Sequence, residues 1–181
     1  ITTGEGGMLL VKDGPMLERA RRLRDHGMSP ERRYWHEEVG YNYRMTNLQA
    51  AIGVAQMERV TEFVNRKRWV GEQYRQILSG VEGLQLPSEG PDIFNSYWLY
   101  TVTLPACLAA QRDEVLARLK LQGIEARPVF YPMHCMPLYQ PFVQAGRRYP
   151  ASSLISSTGI SLPTGVNMRA EDVEKVGVAL A

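Results

Sequence analysis

The stretch from Thr46 to Gly80 limits what this chain can fold into more than any other. Leu48, Ile52, Ala55, Val60, Phe63, Val70, Tyr74 and Ile77 recur mostly at three- to four-residue steps, the period of a helix with one buried face. Thr46 followed by Gln49 forms a capping box at the start, and Gly80 closes the end. Glu62 and Arg66 make a supporting pair one turn apart. As one continuous helix, residues 47–79 span roughly 50 Å. That exceeds the diameter of a small domain, so the helix is expected to bridge two bodies, with a bend near Gly53 or Gly71.

On the amino-terminal side, Gly4, Gly6 and Gly7 read as a turn and "MLLV" as a short buried strand. Asp13-Gly14-Pro15 opens a helix with Leu17, Ala20 and Leu23 on one face, closed at Gly27. Its Arg19, Arg21, Arg22 and Arg24 read as a solvated, ion-paired face rather than an anion site. Residues 28–45, "MSPERRYWHEEVGYNYRM", show no helical or strand period. A loop that long usually has work to do. After Gly83 the texture changes. "LQLP" and "YWLYTVTL" read as strands and residues 109–122 as a helix. "IEARPVFY" is a strand that Pro128 pushes to an edge, and residues 136–150 are a loop or short helix. "ISLP" is a last strand, and "RAEDVEKVGVALA" a last helix with Val173, Val176 and Leu180 on one side. Together these make an α+β unit.

The formal net charge of +2 is too small to argue for nucleic acid or an anionic membrane. No apolar run approaches the length of a membrane-spanning helix. The two cysteines, Cys107 and Cys135, have no paired spacing, and the three histidines have no metal spacing. This favours the reduced cytoplasm and no bound metal. Asn42 stands just before a helix start, where free N–H groups favour an anion; it serves equally as a local turn residue. Arg127, Tyr131 and His134 sit among three prolines, "RPVFYPMHCMP", suited to a rigid substrate wall. His134 is open between ligand, proton shuttle and satisfied surface histidine. The glycine turn matches neither the P-loop nor the dinucleotide fingerprint.

Three segments occur here in order: "ITTGEGGM", "HGMSPERRYWHEEVGYNYRMTNLQAAIGVAQMERV" and "ARPVFYPMHCMPLY". Together they resemble the DegT/DnrJ/EryC1/StrS family of sugar aminotransferases, which depend on pyridoxal phosphate (PLP). The "RRYWH…GYNYRMTN" wording is most similar to its GDP-perosamine synthases. The resemblance implies an α/β fold, the type I fold of PLP-dependent transferases, of which this chain would be the carboxyl-terminal part. Residues 1–50 would be the end of the large, PLP-binding domain, 51–80 the long connecting helix and 81–181 the small α+β domain. The lysine that carries PLP would lie just ahead of Ile1, so no catalytic residue is assigned within the chain, and the chain alone is expected to be inactive. The resemblance implies that Asn42 reaches the PLP phosphate of a neighbouring subunit, hence a homodimer, and that Gly4–Gly7 is structural. It implies that Arg33, Tyr34 and His36 meet a nucleotide-sugar, Arg33 at its diphosphate, and that Arg127, Tyr131 and His134 line the sugar side. The implied reaction moves an amino group from glutamate to a nucleotide-linked keto sugar such as GDP-4-keto-6-deoxymannose, for surface-polysaccharide (O-antigen) synthesis. A sugar dehydratase of the same fold and a non-catalytic dimerisation or regulatory domain are the alternatives.

Overall fold

The rod expected over residues 47–79 is two helices in the computed structural model, which describes residues 1–144 and 146–181. Helix α2 runs Asn47–Met57 and α3 runs Val60–Leu78. The capping box forms as the sequence predicts: Thr46 Oγ1 accepts from the Gln49 N–H, and the Thr46 N–H donates to Gln49 Oε1 at 2.8 Å. The interruption falls at Glu58–Arg59, not at Gly53 or Gly71, which both lie inside helices. There the bonding tightens: the Arg59 N–H donates to Gln56 O, three residues back, at 3.1 Å. No glycine or proline marks the spot. The chain divides nearby into two units, Ile1–Thr61 and Glu62–Ala181.

In the first unit, α1 spans Gly14–Arg24. Asp13 caps it by accepting from the Met16 N–H at 2.8 Å. "MLLV" forms no strand; Met8, Leu9 and Leu10 are exposed, without a strand partner among the described residues. An apolar run alone does not make a strand when no sheet is there to receive it. The described residues buried in this unit are Gly27 and Ser29, neither of them apolar and large.

The second unit is built on a three-stranded antiparallel sheet in the order β1–β3–β2. Strand β1 is Tyr100–Thr103, β2 Arg127–Pro128 and β3 Gly159–Leu162. Tyr100 pairs with Leu162 and Arg127 with Ser161. The long strand expected over residues 97–104 is thus shorter. "LQLP" is reduced to one bridge, Gln85 with Thr103, and "IEARPVFY" to the two residues of an edge strand. Pro128 lacks the N–H a central strand would need. Helix α4, Arg112–Leu121, follows a 3-10 segment Ala106–Gln111. Residues 133–142 form two 3-10 turns, and α5, Pro150–Thr158, is a helix the sequence pattern does not announce. Ala145, inside the 136–150 stretch, lies outside the described residues. Helix α6, Ala170–Leu180, closes the chain.

Buried side chains of α3 (Val70, Tyr74, Leu78), the sheet (Tyr100, Val102, Ile160, Leu162), α4 (Leu119) and α6 (Val173, Val176) form one core. Each large aliphatic side chain contributes about 1.5–3 kcal/mol on burial. Polar ties pin α3 to the segment after β3. Tyr74 Oη donates to Pro163 O at 2.9 Å, Lys67 Nζ to Thr164 Oγ1 at 3.0 Å, and the Arg66 guanidinium to the Val166 and Met168 carbonyls.

Candidate functional site

In the first unit, residues 25–43 fold back on themselves as an irregular hairpin. The His26 N–H donates to Tyr41 O at 2.9 Å and the Glu37 N–H to Gly27 O at 3.0 Å. Asp25 bridges Asn42, and Met28 bridges His36. The two legs cross so closely at Gly27 and Gly40 that a Cβ on Gly27, which sits at φ +67, would lie 2.0 Å from Glu38 O. Only glycine fits there. Arg22 holds the second leg to α1 through Glu37 at 2.9 Å, and Arg21 pairs with Glu18 on the same helix. With Arg19 3.8 Å from Glu38, three of the four arginines of α1 meet a carboxylate, as the sequence suggests.

The tip of this hairpin carries Arg33 and Tyr34, both exposed. The Arg33 guanidinium lies 4.8 Å over the Tyr34 ring, and Tyr34 adopts φ +64. Arg33 has no carboxylate partner among the described residues. His36 sits lower on the second leg, its Nδ1 2.9 Å from His26 O. A carbonyl can only accept, so Nδ1 carries the proton and Nε2 of the neutral ring is an acceptor. Asn42 stands at the base of the hairpin, exposed, a few residues before the start of α2. Its side chain makes no hydrogen bond among the described residues, so the amide is free to donate. A phosphate oxygen only accepts. The donor chemistry of the amide therefore fits the phosphate of PLP at this one point. The hairpin thus separates Arg33 and Tyr34 at one end from Asn42 at the other, with His36 between.

In the second unit, Arg127 projects from edge strand β2, its guanidinium 3.1 Å from Glu125 Oε1, with both groups exposed. It lines an open cleft of about 530 Å³ together with Lys67, Ser161, Thr164, Asp172 and Lys175. Burial lowers the pKa of the Lys67 ammonium. It donates to the Trp98 and Thr164 oxygens, and no carboxylate pairs with it among the described residues. Tyr131 is exposed beyond β2. His134 lies in the 3-10 turn Met133–Cys135, stacked 4.6 Å from Tyr149, with Nε2 3.4 Å from Ser153 Oγ. That leaves its ring engaged with the protein on a face and on one nitrogen. Sequence reasoning missed Lys67. Inside the run Arg66-Lys67-Arg68 it looks like any solvated helix charge, and only the return of residues 163–168 beside α3 reveals it. Among the described residues no group of three His, Cys, Asp or Glu could hold a metal ion, and no helix is long and apolar enough to cross a membrane.

A model of the DegT/DnrJ/EryC1/StrS aminotransferase family matches residues 1–181. The chain belongs to this family. A GDP-perosamine synthase of Vibrio cholerae is 39% identical over 176 residues, covering 97% of this chain and 47% of that protein. The GDP-perosamine synthase of Caulobacter vibrioides is 41% identical over 181 residues, covering 99% of this chain and 48% of the relative. Among solved structures, the aminotransferase TlmJ from Streptoalloteichus hindustanus matches with a TM-score of 0.86 at 31% identity, over 98% of this chain and 47% of that one. The chain spans about half the length of the curated relatives it matches. The α/β fold is that of the PLP-dependent sugar aminotransferases, and aminotransferases of the DegT/DnrJ/EryC1/StrS family use PLP.

Proposed function

We propose that this chain is the carboxyl-terminal part of a homodimeric, PLP-dependent aminotransferase that converts a GDP-linked 4-keto-6-deoxy sugar to its 4-amino sugar, with glutamate as donor. The single observation that carries the reading is the 39–41% identity to two GDP-perosamine synthases over nearly the whole chain. Residues 1–50 then belong to the large domain, 51–80 to the connection and 81–181 to the small domain. The exposed Leu9, Leu10, Leu48 and Val54 support this, since a unit with so little buried interior is expected to be covered by further protein. The exposed free thiols of Cys107 and Cys135 support a cytoplasmic setting.

The chemistry follows from what each residue can donate or accept. PLP, when bound, supplies the electron sink that lets an amino group leave one carbon and join another. Asn42 holds its phosphate from the neighbouring subunit with a neutral amide, which fixes the phosphate without competing for its charge. Arg33 is free of carboxylates and offers a fork of donors to a diphosphate, while Tyr34 keeps that fork oriented. His36 accepts a sugar hydroxyl at Nε2. Arg127 and Tyr131 serve the sugar side, and His134 holds the turn that follows Tyr131.

The test is turnover by the native full-length protein with PLP, glutamate and GDP-4-keto-6-deoxymannose. Formation of 2-oxoglutarate and the amino sugar in equal amounts supports the reading. Loss of the sugar's neighbouring hydroxyl as water, with no nitrogen gained, replaces it with the dehydratase. The 181-residue chain alone, mixed with PLP and glutamate, is expected to release no 2-oxoglutarate.

A further inference from the structure

Trp98 is an exposed aromatic residue of the second unit whose backbone is tied on both sides, and nothing in the chemistry assigned above uses it. Its side chain is 69% exposed. Its backbone, by contrast, is fixed from both sides. The Trp98 carbonyl accepts from Lys67 Nζ at 3.0 Å and from Thr164 Oγ1 at 2.8 Å. The preceding residue, Tyr97, is held at φ +47, a left-handed conformation that costs a bulky residue of order 1–3 kcal/mol. That conformation is stabilised locally. Asn95 Oδ1 accepts the Tyr97 N–H at 2.8 Å, and Glu89 Oε1 accepts the Asn95 N–H at 2.6 Å. The same carboxylate is bound by both Nη atoms of Arg68, at 2.6 and 3.2 Å. The Tyr97 ring lies so close over Gly71 that a Cβ there would meet it at 3.0 Å. Burying Tyr97 and turning the chain into the left-handed region throws the next side chain outward.

The outward ring does not stand alone. Phe130, 70% exposed, lies 6.5 Å from it with the two planes 22° apart. That is the far end of the range for an aromatic pair, so each ring keeps a large free face. Phe130 follows Arg127 by three residues, and Leu99, next to Trp98, lines the same cleft as Arg127. That cleft carries Lys67, Arg127 and Lys175 against Glu125 and Asp172, a net positive lining. An aromatic surface beside a cationic cleft suits a ligand that joins a planar ring to phosphates.

We infer that Trp98 and Phe130 form a pre-set stacking platform for the nucleobase of the nucleotide-linked sugar. The inference rests on the nucleotide-sugar reading above and adds the residues that would grip the carrier's base. The Tyr97 turn and the clamp on the Trp98 carbonyl fix the backbone from which the ring projects, so little main-chain freedom is lost on binding.

The probes are GDP, guanosine and inorganic pyrophosphate, titrated into the native full-length protein and into Trp98→Ala and Trp98→Phe. Binding is read by calorimetry and tryptophan emission. Trp98 is mostly solvated, so the alanine variant keeps the core intact, and circular dichroism checks this. Trp98→Ala is expected to weaken GDP and guanosine roughly 5- to 100-fold, the range that alanine substitution of a base-stacking aromatic gives. Trp98→Phe should stay within about threefold of the parent, because it keeps a π-face. Pyrophosphate should bind all three proteins alike. Unchanged GDP affinity in Trp98→Ala overturns the platform and leaves the nucleotide-sugar reading standing. An equal loss for GDP and pyrophosphate also overturns it, because the effect is then on the cations. Failure of GDP to bind the parent protein overturns both.

Discussion

Tyr74 and Tyr100 are a matched pair on which the account of the core can be tested. Their rings lie 5.2 Å apart in the same core, and both side chains are buried. Tyr74 Oη donates to Pro163 O at 2.9 Å, whereas Tyr100 Oη has no hydrogen-bond partner among the described residues. Tyr74→Phe deletes a made bond and leaves a carbonyl short of a donor, which costs about 1–2 kcal/mol. Tyr100→Phe deletes a hydroxyl whose desolvation is uncompensated, so it should be neutral or stabilise by about 1 kcal/mol. The same atom is removed in each case, and the ring packing is kept. The two variants should therefore differ by about 2 kcal/mol. With a urea dependence of about 1–3 kcal/mol per molar, their unfolding midpoints should lie roughly 1 M apart, Tyr100→Phe the higher. Near-ultraviolet circular dichroism during urea titration reads this directly. A Tyr100→Phe midpoint as low as that of Tyr74→Phe would refute the reasoning, since it would mean the Tyr100 hydroxyl has a partner of comparable strength.

The same two phenols should make the protein sensitive to alkali. Burial pushes Tyr100 up to about 12 and Tyr74 further still, with Asp172 and Tyr100 adding to the latter. The folded state then holds protons that the unfolded chain releases near pH 10, so this stabilisation is complete below pH 10 and fades as pH rises through the folded values; melting temperature against pH, with tyrosinate absorbance, checks it. Glu89 moves the other way. Hydrogen bonds from Arg68 and then from the Asn95 N–H hold its carboxyl below the usual range. Its contribution is present above the unfolded carboxylate value and is lost as pH falls through the folded one; Glu89→Gln should remove that acid dependence and loosen Trp98, seen as lower tryptophan anisotropy. Gly27→Ala should cost about 3–5 kcal/mol of local stability, from a left-handed residue plus a backbone clash, and amide exchange at His26 and Tyr41 should speed accordingly. Asn42→Ala should weaken PLP retention by the native protein about tenfold, as loss of a hydrogen bond to a charged group does, and Asn42→Asp should weaken it more; equal retention in all three would remove Asn42 from the phosphate site.

Much of the local structure was legible because its causes are local. Asp13 and Thr46 cap helices with their own side chains, and Pro128 marks an edge through its missing N–H. Val173 and Val176 fall on the buried face of α6 by period alone. The failures have a common origin in tertiary context. "MLLV" has strand composition but no neighbouring strand. The break at Glu58–Arg59 carries no breaker residue, and the glycines that invited a bend sit inside intact helices. Helix α5, Pro150–Thr158, lies in a serine-rich stretch whose sequence announces no helix. For the candidate site, residue types and the family resemblance singled out the 28–45 loop and the "RPVFYP" segment, but not the way the loop folds back on itself. The proton on His36 Nδ1 and the clamp around Trp98 depend on contacts between segments far apart in sequence, which a linear reading cannot pair.

The hairpin of residues 25–43 is stitched by main-chain bonds and ion pairs over a unit with almost no buried apolar interior. Ion pairs and exposed main-chain bonds yield to salt and heat before a packed core does. The arm that carries Asn42 and the Tyr74–Tyr100 core should consequently have separate melting behaviour. Warming or added salt would dissolve the ordered arm first, leaving a sheet and helices that still look native to a spectrometer after the hairpin has come apart.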